Sequence, residues 1–527
     1  MRSLPFLLLA AVLAAGCGNK GFSDRASAQR GNVFRYALNK SPVTYDPGRV
    51  QDPEDIDLIG NVFEGLVAYD EKNQVGPRLA ESFEGQEGGK VWVFKLRPAK
   101  FHNGREVTAE DFKWTFERNL RKEFASPVAL NYLSDIAGAQ DFADGKAESL
   151  KGVEVVDPRT LKITLEAPRP YFLGKITYPC AFVLAKESAG LTQIRDVNQM
   201  VGTGPFKVER IDPEQQVTLI ANADYYEGAP LVEKIERPII KDSQTRLTKY
   251  GKGELDLLTV QRGEVESVRN DPVLSKQLLF RPTPTVYYVG MNRHLYKPFQ
   301  DIRVRKAFAM AIDRKRIADD LLGGMTEAKG LIAHEIVGYR KDYKGLPYDP
   351  DEAKRLLAEA GYPNGKGLPP CEIYYRAQQP DSGVVAEAVH SSLTKNLGFP
   401  AKLKALEASV YFAKRNAGKL PCFFGSWGAD YLDPQNFTTF LLRSDSTMDY
   451  EHYKNDEFDR LGKQADETLD ATERIKLYQR AEDILIQDVA RVPLYYGRES
   501  TLVSPKITGL RMMLMGFLPH TTVQVNR

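Results

Sequence analysis

The chain has 527 residues, 42% hydrophobic and 27% charged, and its 72 basic and 70 acidic residues leave a net charge of +2. That length suits two to four domains of ordinary composition. The near-balance of well-mixed charge argues against nucleic acid as the main partner, which would favour a strong basic excess or patch.

Met1-Arg2 is followed by LPFLLLAAVLAAGC: one charge, a short apolar run, then small residues before Cys17. The run is too short to span a bilayer well and fits a secretory signal over residues 1–16. LAAGC resembles the lipobox of bacterial lipoproteins, with Ala14 where leucine is commoner. It implies that Cys17 is lipidated, and residues 17–31 read as a flexible tether. No later apolar run is long enough to cross a membrane. The mature protein is therefore expected to be soluble, outside the cytoplasm and held to a membrane by lipid.

NVFRYAL (32–38) alternates as a strand, and YDP (45–47) turns. KVWVFKLRPAKF (90–101) reads as a strand that runs into a turn at Asn103-Gly104. Thr108 with Asp111 resembles a capping box, and Phe112, Thr115, Phe116 and Leu120 follow at helical spacing. LKITLEAP (161–168) is a strand stopped by Pro168, and 206–222 reads as two strands around Asp-Pro. TVYYVGMN (285–292) leads to a helix from Asp301, with Val304, Ala307, Phe308, Ala311 and Ile312 as its buried stripe. A second helix has Asp349 as N-cap, Pro350 in its first turn and Gly361 as its left-handed end.

Then CEIYYR, a helix near 382–397, AKLKALE (401–407), a helix from Val410 and CFFGSW alternate. That order implies a parallel sheet with helices packed on it. A long helical pair follows from Glu457 to Asp488. Cys371 and Cys422 each open one of these strands. Both a disulfide and buried free thiols are compatible with that placement, and the cysteine spacing fits no zinc pattern.

FGSWGADYLDPQNF (424–437) lies at the carboxyl end of a strand in this α/β unit, where ligands tend to bind. Asp433-Pro434 is a turn dipeptide. Asp430 is open to more than one role. Catalytic signatures are missing: Ser426 sits one glycine short of G-x-S-x-G, EGQEGGKV is no P-loop, and no two histidines stand at i, i+4. The expectation is no enzyme, no cofactor and no metal.

Several segments together resemble the solute-binding proteins of ATP-driven peptide importers, the oligopeptide- and dipeptide-binding type, family 5. They are NVFEGLVAYD (61–70), GPRLAESFE (76–84), WVFKLRPAKFHNGREVTAEDF (92–112) and GTGPFKVER (202–210). With them come GELDLL (253–258), YYVGMN…KPFQDIRVRKAFAMAIDR (287–314), DPDEAKRLLAEAGY (349–362), GSWGADYLDPQNF (425–437) and RVPLYY (491–496). The order and spacing are specific, and they run nearly the whole mature length.

The resemblance implies an α/β, periplasmic-binding-protein-like type II (cluster C) fold with three lobes and a hinged cleft. Lobe I is discontinuous (32–63, 196–284, 497–527), lobe II is an insertion (64–195), and lobe III spans 285–496. It implies a monomeric receptor that binds peptide as an added strand and delivers it to an ABC permease. The aspartate of the family's W-x-A-D-Y motif takes the ligand's α-ammonium, and Asp430 stands there. Backbone at Gly425, Ser426 and Gly428 and at Gln51 and Asp52 is expected to pair with ligand, with Trp427 and Tyr431 as walls. Phe424 occupies a position where some family members have a carboxylate-binding arginine, and Arg376 is the substitute candidate. A nickel chelate, haem, an opine or an oligosaccharide remain alternative ligands. A secreted hydrolase using Asp430, or a sensor or chaperone without transport, are alternative functions.

Overall fold

The computed structural model describes residues 32–526 apart from Gln378 and Pro380. The signal, Cys17 and tether expectations lie outside the described residues. Among the described residues no helix is long and apolar enough to cross a membrane.

The expected alternation of strands and helices is present, with local chemistry setting the ends. Thr108 and Asp111 form the capping box of the helix Ala109–Leu120. Asp301 caps Ile302–Ala311, and Asp349 caps Pro350–Glu359, each accepting a backbone N–H that the first turn leaves unpaired. Strands Phe206–Asp212 and Gln216–Ala221 make the hairpin read from the Asp-Pro turn.

Three larger sheets organise the chain. Val33–Arg35, Lys234–Pro238, Gln216–Ala221 and Phe206–Asp212 make one, joining residues near the start to the middle. Ala80–Gln86, Val91–Leu96, Thr160–Thr164 and Val153–Asp157 make a second. The third has seven strands and is mixed. Cys371–Arg376 runs parallel to both Ala401–Leu406 and Cys422–Gly428, as the βαβαβ order requires. Cys422–Gly428 then pairs antiparallel with the long strand Leu278–Met291, and that strand with Arg491–Val503.

Those two long strands were only half legible as TVYYVGMN and RVPLYY. Their outer halves pair with each other, Arg491–Val503 pairs further with Leu257–Thr259, and a bridge between Leu257 and Tyr36 links the third sheet to the region of the first. The ladder between them slips between Pro282 and Val286. The expected lobe boundaries at 284/285 and 496/497 fall at this irregularity.

Separate apolar clusters lie under the sheets, one centred on Phe34, Leu58 and Leu219 and one on Phe308, Leu357 and Val389. A third runs from Phe94, Phe112 and Leu161 continuously into Tyr431, Phe440, Leu461 and Leu477. Residues 64–195 and the 431–490 segment are thus packed together. Cys180, Cys371 and Cys422 are free and buried, so the disulfide left open for Cys371 and Cys422 is not formed.

Candidate functional site

Strand Cys422–Gly428 positions the site. On one edge Gly425, Ser426, Trp427 and Gly428 pair with Tyr288, Tyr287, Val286 and Thr285. On the other edge the ladder to Cys371–Arg376 stops at Phe423. Beyond Phe423 that edge has no strand partner among the described residues. The Tyr411 hydroxyl covers the Phe424 carbonyl at 2.8 Å. An unpaired edge of this kind is a template for an added strand.

Asp430 follows two residues after the strand. Its backbone N–H donates to Asn436 Oδ1 at 3.0 Å, which also accepts the Trp427 indole N–H at 3.1 Å. Its carboxylate accepts the Tyr132 hydroxyl at 2.7 Å, from a residue 298 positions earlier. Tyr132 stacks on Tyr178 with ring centres 3.8 Å apart, and the Tyr178 hydroxyl donates to the Val50 carbonyl at 2.9 Å. Tyr132 and Tyr178 were missed in the sequence because they act across long chain separations, and Asn436, close by in the chain, was missed because its bonds to Asp430 and Trp427 follow no fixed turn spacing.

Among the described residues no cation is paired with Asp430. Burial pushes its carboxyl up to about 6, with the Tyr132 and Asn436 side chains pulling the other way. The residue is half-buried by surface. A carboxylate so placed favours a ligand that brings the missing positive charge.

The other expected residues divide. Asp433 is structural: it caps the turn at Pro434–Phe437 and holds Arg474 through two bonds of 2.8 and 2.7 Å. Tyr431 is corrected from pocket wall to core. It is fully buried, its hydroxyl is bound to Gln435, and its ring packs against Tyr171 and Phe440. Trp427 is half-buried and packs against Phe440 at the junction of three apolar clusters.

Asp52 caps the helix Pro53–Val62 and pairs with Lys40, while Gln51 beside it is exposed. Neither touches Asp430; the connection from this segment runs through Val50 and the stacked tyrosines. Arg376 ends its strand beside the unpaired edge, with Nη2 3.4 Å from Ser426 Oγ. Phe424 does not face a ligand carboxylate: it is buried and stacks toward Tyr287, which stacks on Tyr495.

The model for bacterial extracellular solute-binding proteins, family 5 Middle, matches residues 74–449. The chain is 32% identical over 492 residues to the probable deoxycholate-binding periplasmic protein YgiS of Escherichia coli (strain K12), covering 90% of each. It is 28% identical to heme-binding protein A of Haemophilus influenzae, covering 97% of this chain and 96% of that protein. The structure of the Escherichia coli murein tripeptide binding protein MppA superposes with a TM-score of 0.84 at 26% identity, over 95% of this chain and 99% of that one. The unliganded open form of MppA gives 0.73 at the same identity, over 94% and 98%. The arrangement seen here is therefore nearer to the first MppA structure than to the open one. With a family model matching most of its length and a 32% relative covering nine-tenths of it, the chain belongs to family 5 of the bacterial extracellular solute-binding proteins.

Proposed function

We propose that the protein is a lipid-anchored receptor that encloses a peptide between its lobes and delivers it to an ABC-type permease. The observation that carries this reading is Asp430: a half-buried carboxylate with a hydroxyl partner and no cation, at the end of an unpaired strand edge. The ligand's α-ammonium fits it. A charge-assisted bond in a poorly solvated cleft is strong, and losing one partner of such a pair costs about 2–5 kcal/mol. Backbone beyond Phe423 offers the strand edge, and Arg376 beside Ser426 is the candidate for the ligand's carboxylate end. Cys17 is the proposed lipid attachment.

Calorimetry tests this with matched peptides, free and N-acetylated, against wild type and Asp430→Asn. Wild type prefers the free amine and the variant loses that preference. Equal binding of the two peptide forms by wild type would reject the ammonium anchor. A non-peptide solute is the second reading, favoured by relatives named for deoxycholate and haem binding. Such a ligand would show itself as a co-purifying mass in native mass spectrometry.

A further inference from the structure

Buried arginines in this protein mostly have their partners built in. Arg491 holds Glu451 at 2.7 and 2.9 Å. Arg293 and Arg305 form no ion pair among the described residues, but backbone carbonyls fill their guanidiniums: Met291, Glu451, Val489 and Ala490 around the first, Phe299, Gln300 and Asp488 around the second.

Arg376 and Arg415 differ. Neither is paired with a carboxylate among the described residues. Arg415 is 8% exposed, and its Nε and Nη2 donate to Oδ1 of its own neighbour Asn416 at 3.2 and 3.0 Å. Among the described residues Arg376 has one hydrogen bond, the long one to Ser426. The two guanidinium carbons each lie 5.0 Å from the centre of the Phe412 ring, so two like charges flank one aromatic. Arg415 also lies 4.6 Å from the Tyr450 ring.

Stacking on aromatic faces offsets part of the cost of burying these charges. It leaves the planar N–H forks, which suit carboxylates, with neutral oxygens and no carboxylate among the described residues: Asn416 Oδ1 for Arg415 and Ser426 Oγ for Arg376. Glu451, the carboxylate nearby, is already committed to Arg491. A buried Arg415 beside a half-buried Arg376 is a costly pair of like charges to hold without an anion between or beside them. The pair stands next to the unpaired edge at Ser426, on the side where an added strand would run.

We propose that Arg376, Phe412 and Arg415 form a two-cation subsite for a ligand end that carries two carboxylates, as a peptide ending in glutamate or aspartate does. The terminal carboxylate meets Arg376, and the side-chain carboxylate meets Arg415. This rests on the peptide-receptor reading and goes beyond it by naming the class of peptide.

The test is competition, read by native mass spectrometry, between alanine peptides of increasing length that end in Glu or in Gln. Wild type should retain the Glu series over the Gln series by about tenfold, equal to ~1.4 kcal/mol. Arg415→Gln should bring the two series level, and Arg415→Lys should keep part of the preference. Arg376→Gln reads the same subsite should Arg415→Gln not fold. Equal retention of both series by wild type overturns the subsite and leaves the receptor reading standing. A preference that survives both the Arg415 and Arg376 changes to Gln also overturns it. Retention of neither series by wild type, with an unrelated solute co-purifying, overturns the peptide reading and the subsite together.

Discussion

Asp430 carries a charge that no cation of the described chain balances, and its protonation follows from that. Burial raises its carboxyl to about 6, against about 3.9 for a free aspartate. The empty site therefore holds a proton below about pH 6. A ligand ammonium needs the ionised carboxylate and its own proton, which a peptide α-amino group loses near pH of about 7.7–8.0, so binding of free-amine peptides should be strongest near about pH 7. It should weaken below pH 6 by up to about tenfold per pH unit. Calorimetry from pH 5 to 8 checks this, and a flat profile for wild type, or a slope that persists in Asp430→Asn, would reject it. A second residue tells the structural side of the same chemistry. Asp46 of the YDP turn is fully buried with Arg118, at 2.7 Å, and also accepts the backbone N–H groups of Gly48 and Ile194. Asp46→Asn leaves the Arg118 charge unpaired, and such losses cost about 3–5 kcal/mol. Urea melts should show that drop without a change in ligand preference. The sequence did not mark Asp46 of YDP as half of a buried ion pair, because the partner lies 72 residues away on a helix.

Elements whose ends depend on neighbouring residues were legible: the caps at Thr108, Asp301 and Asp349 follow from side chains within three positions of the groups they satisfy. The βαβαβ order gave the parallel part of the third sheet for the same reason. What was not legible is how far Leu278–Met291 and Arg491–Val503 run, because their outer halves form through pairing with each other and, for the second, with Leu257–Thr259. The GTGPF segment shows a related limit. In the sequence it is only one piece of the family resemblance; the structure shows what its glycines do. A Cβ on Gly202 would fall on the Val62 carbonyl oxygen, and one on Gly204 would lie 2.6 Å from the Asn61 carbonyl oxygen. The segment must lie flat against the end of helix Pro53–Val62. Gly202→Ala should therefore cost about 1–3 kcal/mol or more, since backbone cannot move aside as a side chain does. Gly263, in the helix Arg262–Asn270 with open space around its Cβ direction, makes the control. Gly263→Ala should gain about 0.5–1 kcal/mol. Similar urea midpoints for the two alanine variants would reject the close-approach argument.

At the scale of the whole molecule, contacts around the site join segments far apart in the chain. Tyr132 reaches Asp430, the Tyr69 hydroxyl accepts the Leu432 N–H at 2.9 Å, and Arg169 reaches Glu467 at 3.3 Å. Arg262 pairs with Asp381 on another side. In the proposed lobe scheme the first three tie lobe II to lobe III, and the last ties lobe I to lobe III. On that scheme residues near Asp430 are buried when the lobes meet, and we propose that its unbalanced charge works against meeting without ligand. Closure and protonation are then linked: closing favours the protonated carboxyl, so acid favours closing. Without ligand the closed fraction should be small at pH 7.5 and should rise as pH falls through about 6. With an ammonium-bearing ligand the closed form should dominate at pH 7.5, because the ligand supplies the charge. Asp430→Asn removes the charge while keeping the size, so its empty form should be more closed than wild type at pH 7.5 and nearly indifferent to pH. Asp449 and Asp466 are also raised by burial, to about 7 and about 6, and contribute to any pH trend of the wild type alone. The comparison with Asp430→Asn isolates the one residue. Small-angle scattering, or a fluorophore pair placed on residues 64–195 and 285–496, reads the closed fraction directly. An empty wild type and an empty Asp430→Asn with the same closed fraction at both pH values would show that the charge at Asp430 does not hold the cleft open.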